Sequence, residues 1–286
     1  YTFQTDRKII YDICFTRNGG AIGITDGNVI KLYSTCTKEI IGCFDNGHNK
    51  QVLSIDISDD SLLLVSGGRD SLLILWDLIN QKQLRSLRYE GIITTVSFSP
   101  DNRYIAIGGS ADKVFVYDIN KHEVLYIFSD HTNDITSVSF SPDGRYLATS
   151  GGDKLIYIYS VQNGEMLTIL TGHTNWVRSI SFSLDGTRLI SCGDDSRVIL
   201  WKISDMKNPT IIEKSKEGFH WLLSADINED NRTIAFGDLK GSVVIITRFL
   251  KYKMKIKYPV NRILFKPEEK INLIVAVATS GKGVML

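Results

Sequence analysis

Val96-Ser97-Phe98-Ser99-Pro100-Asp101 recurs as Val138-Ser139-Phe140-Ser141-Pro142-Asp143 and again as Ile180-Ser181-Phe182-Ser183-Leu184-Asp185. Weaker copies stand at Ile13-Cys14-Phe15-Thr16, Ile55-Asp56-Ile57-Ser58-Asp59, Ala225-Asp226-Ile227-Asn228 and Ile263-Leu264-Phe265-Lys266-Pro267. With Phe15, Ile57, Phe98, Phe140, Phe182, Ile227 and Phe265 as anchors, the intervals are 42, 41, 42, 42, 45 and 38 residues. Seven units therefore cover nearly the whole chain, and a repeat of this kind defines the architecture before any local reading does.

Each unit reads as four short strands. In the fifth, Val177 to Phe182 alternates apolar and small polar residues, the period-2 signature of a strand. Leu184-Asp185-Gly186 forms a turn, Arg188 to Cys192 a second strand and Gly193-Asp194-Asp195 a second turn. Val198 to Ile203 is a third strand that carries Trp201, and Thr210 to Glu213 a fourth. No segment has a convincing 3.6-residue apolar period, so helix is expected to be nearly absent. A four-stranded unit of about 40 residues is too small to bury its own faces, and radial repetition covers them. The expected fold is an all-β, seven-bladed β-propeller of four-stranded antiparallel blades.

Trp76-Asp77 ends the third strand of unit two, and Tyr117-Asp118, Tyr159-Ser160 and Trp201-Lys202 take that place in units three to five. Gly172-His173 precedes the first strand of unit five, with Asp130-His131 and Gly47-His48 at related points. Over its whole length the chain resembles the WD-repeat (WD40) family. The resemblance implies a buried hydrogen-bond chain of His, Ser or Thr, Asp and Trp. Its best match is His173, Ser191, Asp195 and Trp201; Asp70 stands six before Trp76 with Ser66 on the preceding strand, and Asp153 six before Tyr159 with Ser150. Units one, six and seven depart from the pattern, with Tyr33 and Ile246 in the Trp position of units one and six and Lys240 where unit six should carry Asp. Unit seven reads as three strands, Asn261 to Phe265, Ile271 to Ala278 and Gly283 to Leu286, so Thr2-Phe3-Gln4-Thr5 is expected to complete it as a clasp. The alternative is that Leu286 leads into a further strand. The blades then span roughly 7–48, 49–89, 90–131, 132–173, 174–218, 219–258 and 259–286 plus 1–6, in one domain.

The chain has 286 residues, 43% hydrophobic, with 33 Lys+Arg against 32 Asp+Glu. A net charge of +1 offers no basic excess for nucleic acid or an anionic membrane surface, so neither is expected as a partner. No apolar run has the length of roughly 18–20 residues that spans a bilayer. Cys14, Cys36, Cys43 and Cys192 form no CxxC and no zinc spacing, which reads as free thiols in a reducing, intracellular and cytoplasmic setting. Tyr1 is not a start methionine, and a place in a larger protein or complex is expected.

No dinucleotide fingerprint, Walker A sequence or calcium loop occurs, and Gly67-Gly68, Gly108-Gly109 and Gly151-Gly152 repeat as turn glycines. No cofactor, metal or catalytic group is expected. A His–Asp pair beside a hydroxyl also resembles a hydrolase triad, but a catalytic group has no reason to recur around a ring. Lys251, Lys253, Lys255 and Lys257 alternate with Tyr252, Met254, Ile256 and Tyr258, which predicts an outermost strand of blade six with a lysine face.

In the WD-repeat family the residues six and four before each anchor, and the one before each tetrad Asp, face the top. Here they include Tyr11, Leu53, Arg69, Ile92, Trp176, Arg178, Trp221 and Leu223. Turns that only met water would be polar; large apolar groups with arginine are the composition of binding hot spots. The expected function is a non-catalytic scaffold for protein–protein interaction, its top face centred on Trp176, Arg178 and Trp221. Two alternatives stand beside it: a sensor, regulatory or targeting domain of a larger kinase, protease or NTPase, and a hydrolase built on the propeller.

Overall fold

The computed structural model describes residues 2–3, 9–214, 220–267, 275–279 and 284–285. These form 28 strands in seven four-stranded sheets, with no helix among the described residues. Within each of the first six blades the strands run antiparallel in sequence order. The first strands are Ile13–Phe15, Val52–Ile57, Ile93–Phe98, Ile135–Phe140, Val177–Phe182, Leu222–Ile227 and Val260–Phe265. Each packs against the first strand of the next blade, and that of blade seven reaches that of blade one. They therefore line the centre, and the fold is a seven-bladed β-propeller.

The recurrent Ser-x-Asp phrase, Ser-Pro-Asp in blades three and four, is a turn lock. Ser58, Ser99, Ser141 and Ser183 are buried, and each hydroxyl donates to the carboxylate two residues on, at 2.5–2.6 Å. The same hydroxyl accepts the backbone N–H that opens the second strand, from Leu63, Tyr104, Tyr146 and Arg188. A left-handed residue completes each turn: Ser61, Asn102, Gly144 and Gly186.

Between blades the chain uses close approach. A Cβ on Gly67 would lie 2.2 Å from Ile93 Cγ2 of the next blade, and one on Gly108 2.5 Å from Ile135 Cγ2. Each interface also carries a side-chain link. The N–H groups of Ile55, Val96, Val138, Ile180, Ala225 and Ile263 donate to Asp12, Ser54, Thr95, Ser137, Ser179 and Ser224 of the preceding blade, at 3.0–3.4 Å. At the seventh interface this position holds Arg262, whose Nε lies 3.2 Å from Asp12 Oδ1. Beside it, Asn261 Nδ2 donates to Ile10 O at 2.7 Å.

Thr2–Phe3 pairs antiparallel with Val284–Met285 in the sheet of blade seven. Gln4, Thr5 and the stretch 271–274 of the expected strands lie outside the described residues. We propose that this short ladder acts as the clasp. Deleting residues 1–6 is then expected to lower the thermal midpoint by roughly 5 °C or more. An unchanged midpoint in calorimetry would remove the clasp from the account.

Candidate functional site: the channel mouth and top face

In blades two to seven the pairing of first and second strand slips by one residue at the same place, between Val52 and Ser54, Ile93 and Thr95, Ile135 and Ser137, Val177 and Ser179, Leu222 and Ser224, and Val260 and Arg262. A β-bulge re-aims the side chain it frees. The residues freed here are Leu53, Thr94, Thr136, Arg178, Leu223 and Asn261, and with Tyr11 they line the mouth of a central cavity of about 320 Å³. Thr94 and Thr136 spend their hydroxyls on the Ile135 and Val177 carbonyls of the following blade. Asn261 does the same to Ile10.

Deeper in the cavity wall stand Asp12 and Asp56, and Asp226 is bonded to Ser181 Oγ and Phe265 N behind it. Burial raises the carboxyl of each, Asp56 to about 7, against the hydrogen bonds each accepts from backbone N–H groups. Among the described residues no group of three or more His, Cys, Asp and Glu is placed to hold a metal.

The expected top-face residues fall into three places. Tyr11, Leu53, Arg178 and Leu223 meet at the channel mouth. Trp176 is half-buried: a Cβ on Gly152 of blade four would lie 2.8 Å from its Cε2, and Arg178 stacks over its ring at 4.6 Å. Arg178 is held there by Asp194, through contacts of 2.8 and 2.6 Å. This arginine is thus part of a braced unit in which the buried Asp194 neutralises its charge. Trp221 is 51% exposed on blade six, and its carbonyl accepts from Leu239, itself 39% exposed. Arg69 is exposed on blade two, while Ile92 is half-buried on blade three and donates its N–H to Ser110. Ile9 stands six before Phe15, a position expected to face the top, and is exposed, whereas the exposed Leu239 was not among the expected residues. Leu239 stands directly before Lys240, the position from which Arg69 and Asp194 were read, and only the lost Asp hid it.

The tetrads are buried between blades. His48 contacts Asp70 at 3.0 Å and Ser66 at 2.7 Å, and Trp76 Nε1 donates to Ser66 Oγ at 2.8 Å. His173, Asp195, Ser191 and Trp201 repeat this, with His173–Asp195 at 2.9 Å and both serine contacts at 2.8 Å. The indole N–H only donates, so the serine gives its own hydrogen to the imidazole and the second ring nitrogen donates to Asp. In blade four His131 meets Asp153 and Thr149, not Ser150. Adjacent strand residues face opposite sides: Thr149 lies across from Val138, as Ser66 lies across from Ile55, while Ser150 turns to Thr136. Ser66 and Ser191 are 0% exposed, so neither hydroxyl can meet a substrate.

The lysine strand runs Lys251–Lys255, shorter than expected, as the outer strand of blade six. Both of its faces are exposed, because at the rim no neighbouring blade reaches Tyr252 or Met254.

A family model, the second β-propeller of echinoderm microtubule-associated proteins, matches residues 62–221. The WD-domain G-beta repeat matches residues 38–77. This chain belongs to the WD-repeat β-propeller family. Among its relatives, a small ribosomal subunit protein RACK1z of rice is 35% identical over 29% of this chain and 25% of its own length. The fission-yeast small ribosomal subunit protein RACK1 is 38% identical over 27% of this chain and 24% of its own. Mouse protein NEDD1 is 31% identical over 34% of this chain and 15% of its own. The matched stretches thus span about a quarter or less of these relatives.

Acid should loosen the tetrads. Burial lowers His48, and its Asp70 hydrogen bond only partly offsets this. A lowered histidine favours the neutral form in the fold, so its contribution is lost as pH falls below roughly 6.5. For Asp70, Asp153 and Asp195 burial pushes upward, but hydrogen bonds from the histidine and from backbone N–H groups outweigh it and hold them low. That second contribution is lost below roughly pH 4. Asp70→Asn and Asp195→Asn are each expected to cost about 1–3 kcal/mol at neutral pH and to flatten the acid limb of a Tm-versus-pH series. Equal midpoints for wild type and both variants would contradict this reading of the network.

Proposed function

We propose that this propeller is a non-catalytic interaction module that presents its top face to a peptide or protein partner. One observation carries the reading: Trp221, a large aromatic, stays half exposed beside Leu239, directly before the strand Leu222–Ile227 whose Leu223 lines the channel mouth. Trp221 and Leu239 together offer adjoining apolar area that a partner can cover, and aromatic anchors dominate interface energetics. The braced Trp176–Arg178–Asp194 unit supplies a second, stationary platform on the adjoining blade. The bulges and turn locks fix the backbone beforehand, so binding orders little. The partner is a protein, not nucleic acid or a membrane, in keeping with the near-zero net charge. No helix among the described residues is long and apolar enough to cross a membrane. All four cysteines are free thiols, which supports a reducing intracellular, cytoplasmic setting within a larger assembly.

Affinity capture followed by mass spectrometry identifies the partner, and purified components then test the face. Trp221→Ala is expected to weaken binding by about tenfold or more with Tm unchanged, and adding Trp176→Ala to weaken it further. Lys251→Glu with Lys253→Glu should leave affinity within about twofold. Loss in the lysine variant with none in the tryptophan variants would move the interface to the rim.

A further inference from the structure

Blade three has lost its tetrad. Where blade two carries His48, Ser66, Asp70 and Trp76, blade three carries Tyr89, Ile107, Ala111 and Tyr117. The substitution leaves one group unaccounted for. Tyr117 is 3% exposed, and its buried hydroxyl has no hydrogen-bond partner. Blade four shows how the same residue is normally served. There Tyr159 donates to Asp130 Oδ2 at 3.0 Å. The residue of blade three at the place of Asp130 is Arg88, which cannot accept. Tyr89, at the place of the tetrad histidine, is turned elsewhere, its hydroxyl donating to Lys113 O at 2.7 Å and making no hydrogen bond with Tyr117.

Tyr117 lines a cavity of about 310 Å³ that opens at the rim between blades two and three. Leu73, Leu87 and Phe115 supply apolar wall, and Arg88 and His122 stand at the lip. Two glutamates also reach the lip, but both are engaged: Glu90 by Lys113 at 3.0 Å and Glu123 by Lys121 at 3.7 Å. Arg88 is exposed and has no ion pair among the described residues. The cavity thus combines an apolar wall, a buried hydroxyl that lacks an acceptor, and a cation that lacks an anion. A buried donor finds an acceptor in folded proteins with few exceptions, and here the protein does not provide it.

We propose that this cavity binds a small carboxylic acid with an apolar body, the body against Leu73, Leu87 and Phe115 and the carboxylate within reach of Arg88 and the Tyr117 hydroxyl. The size lies at the lower end of ligand sites, which suits a ligand of one ring or a short branched chain. The site is separate from the top face: its walls come from the third and outer strands of blade two and the third strand of blade three, so a small acid and a protein partner could be held at once.

The test is titration of the full chain with 3-phenylpropionate, followed by amide shifts in NMR, against two analogues of the same shape, 3-phenylpropan-1-ol and 3-phenylpropylamine. The expected result is saturable shifts confined to residues 73, 87–89, 115–117 and 122–124, with a dissociation constant of about 1 mM. The alcohol should bind roughly fivefold or more weakly and the amine not at all. Arg88→Ala and Tyr117→Phe should each weaken the acid by roughly five- to tenfold. Tyr117→Phe should keep or raise Tm, since it removes an unserved hydroxyl without changing the ring, and this separates lost binding from lost fold. No saturable shift at about 10 mM acid would overturn the proposal, leaving water as the only acceptor. Equal binding of acid, alcohol and amine would overturn it too, as would an unaffected Arg88→Ala variant.

Discussion

The structure depends on a hydrogen bond that crosses from blade to blade. A blade of four short strands cannot cover its own faces, so each must be held at a fixed distance from the next. The N–H of Val96 reaches Ser54, that of Val138 reaches Thr95, and that of Ile180 reaches Ser137. Because the acceptors are short side chains, the first strands lie close enough for Ile93 to pack over Gly67 and Ile135 over Gly108. The last interface uses charge instead, with Arg262 against Asp12, and the two ends of the chain meet there. An ion pair whose carboxylate is buried and whose arginine is one third exposed adds little net stability against its desolvation. What it supplies at this interface is a pairing that none of the other six can satisfy.

The same constraint shapes the top face. The slip in register that sets the polar acceptor also frees the residue before it, and that residue lines the channel mouth. Where the freed residue is Thr94, Thr136 or Asn261, it reinforces the link to the next blade. Where it is Leu53 or Leu223, it gives the mouth apolar side chains, and where it is Arg178, a guanidinium braced by Asp194. Stability and presentation therefore share one device. The tetrads act further out, where Ser66 and Ser191 connect a histidine to a tryptophan in the dry space between blades.

Most of the architecture was legible in the primary structure because it repeats. The anchors from Phe15 to Phe265, the Ser-x-Asp turns and the His–Asp spacing each recur, and independent signals with one period reinforce one another. Reading Ser150 for Thr149 shows the limit of such reading. Both are hydroxyl residues, and only the four-residue interval to the Asp, shared by Ser66 with Asp70 and Ser191 with Asp195, tells them apart. Arg178 was legible as a top residue but not as a partner of Asp194, because the bulge that brings them together is a backbone event. Tyr117 stood in the Trp position by alignment, yet nothing in the sequence said that its hydroxyl would go unserved. Site residues are the harder inference since they depend on which neighbours happen to satisfy them.

The central claim is that the propeller works through a preorganised top face. Hydrogen–deuterium exchange with and without the captured partner tests it most directly. The account predicts protection at amides around Trp221, Leu239 and Trp176, with the outer strand Lys251–Lys255 unchanged. Protection confined to the outer strands, with the top turns exchanging as in the free chain, would contradict it.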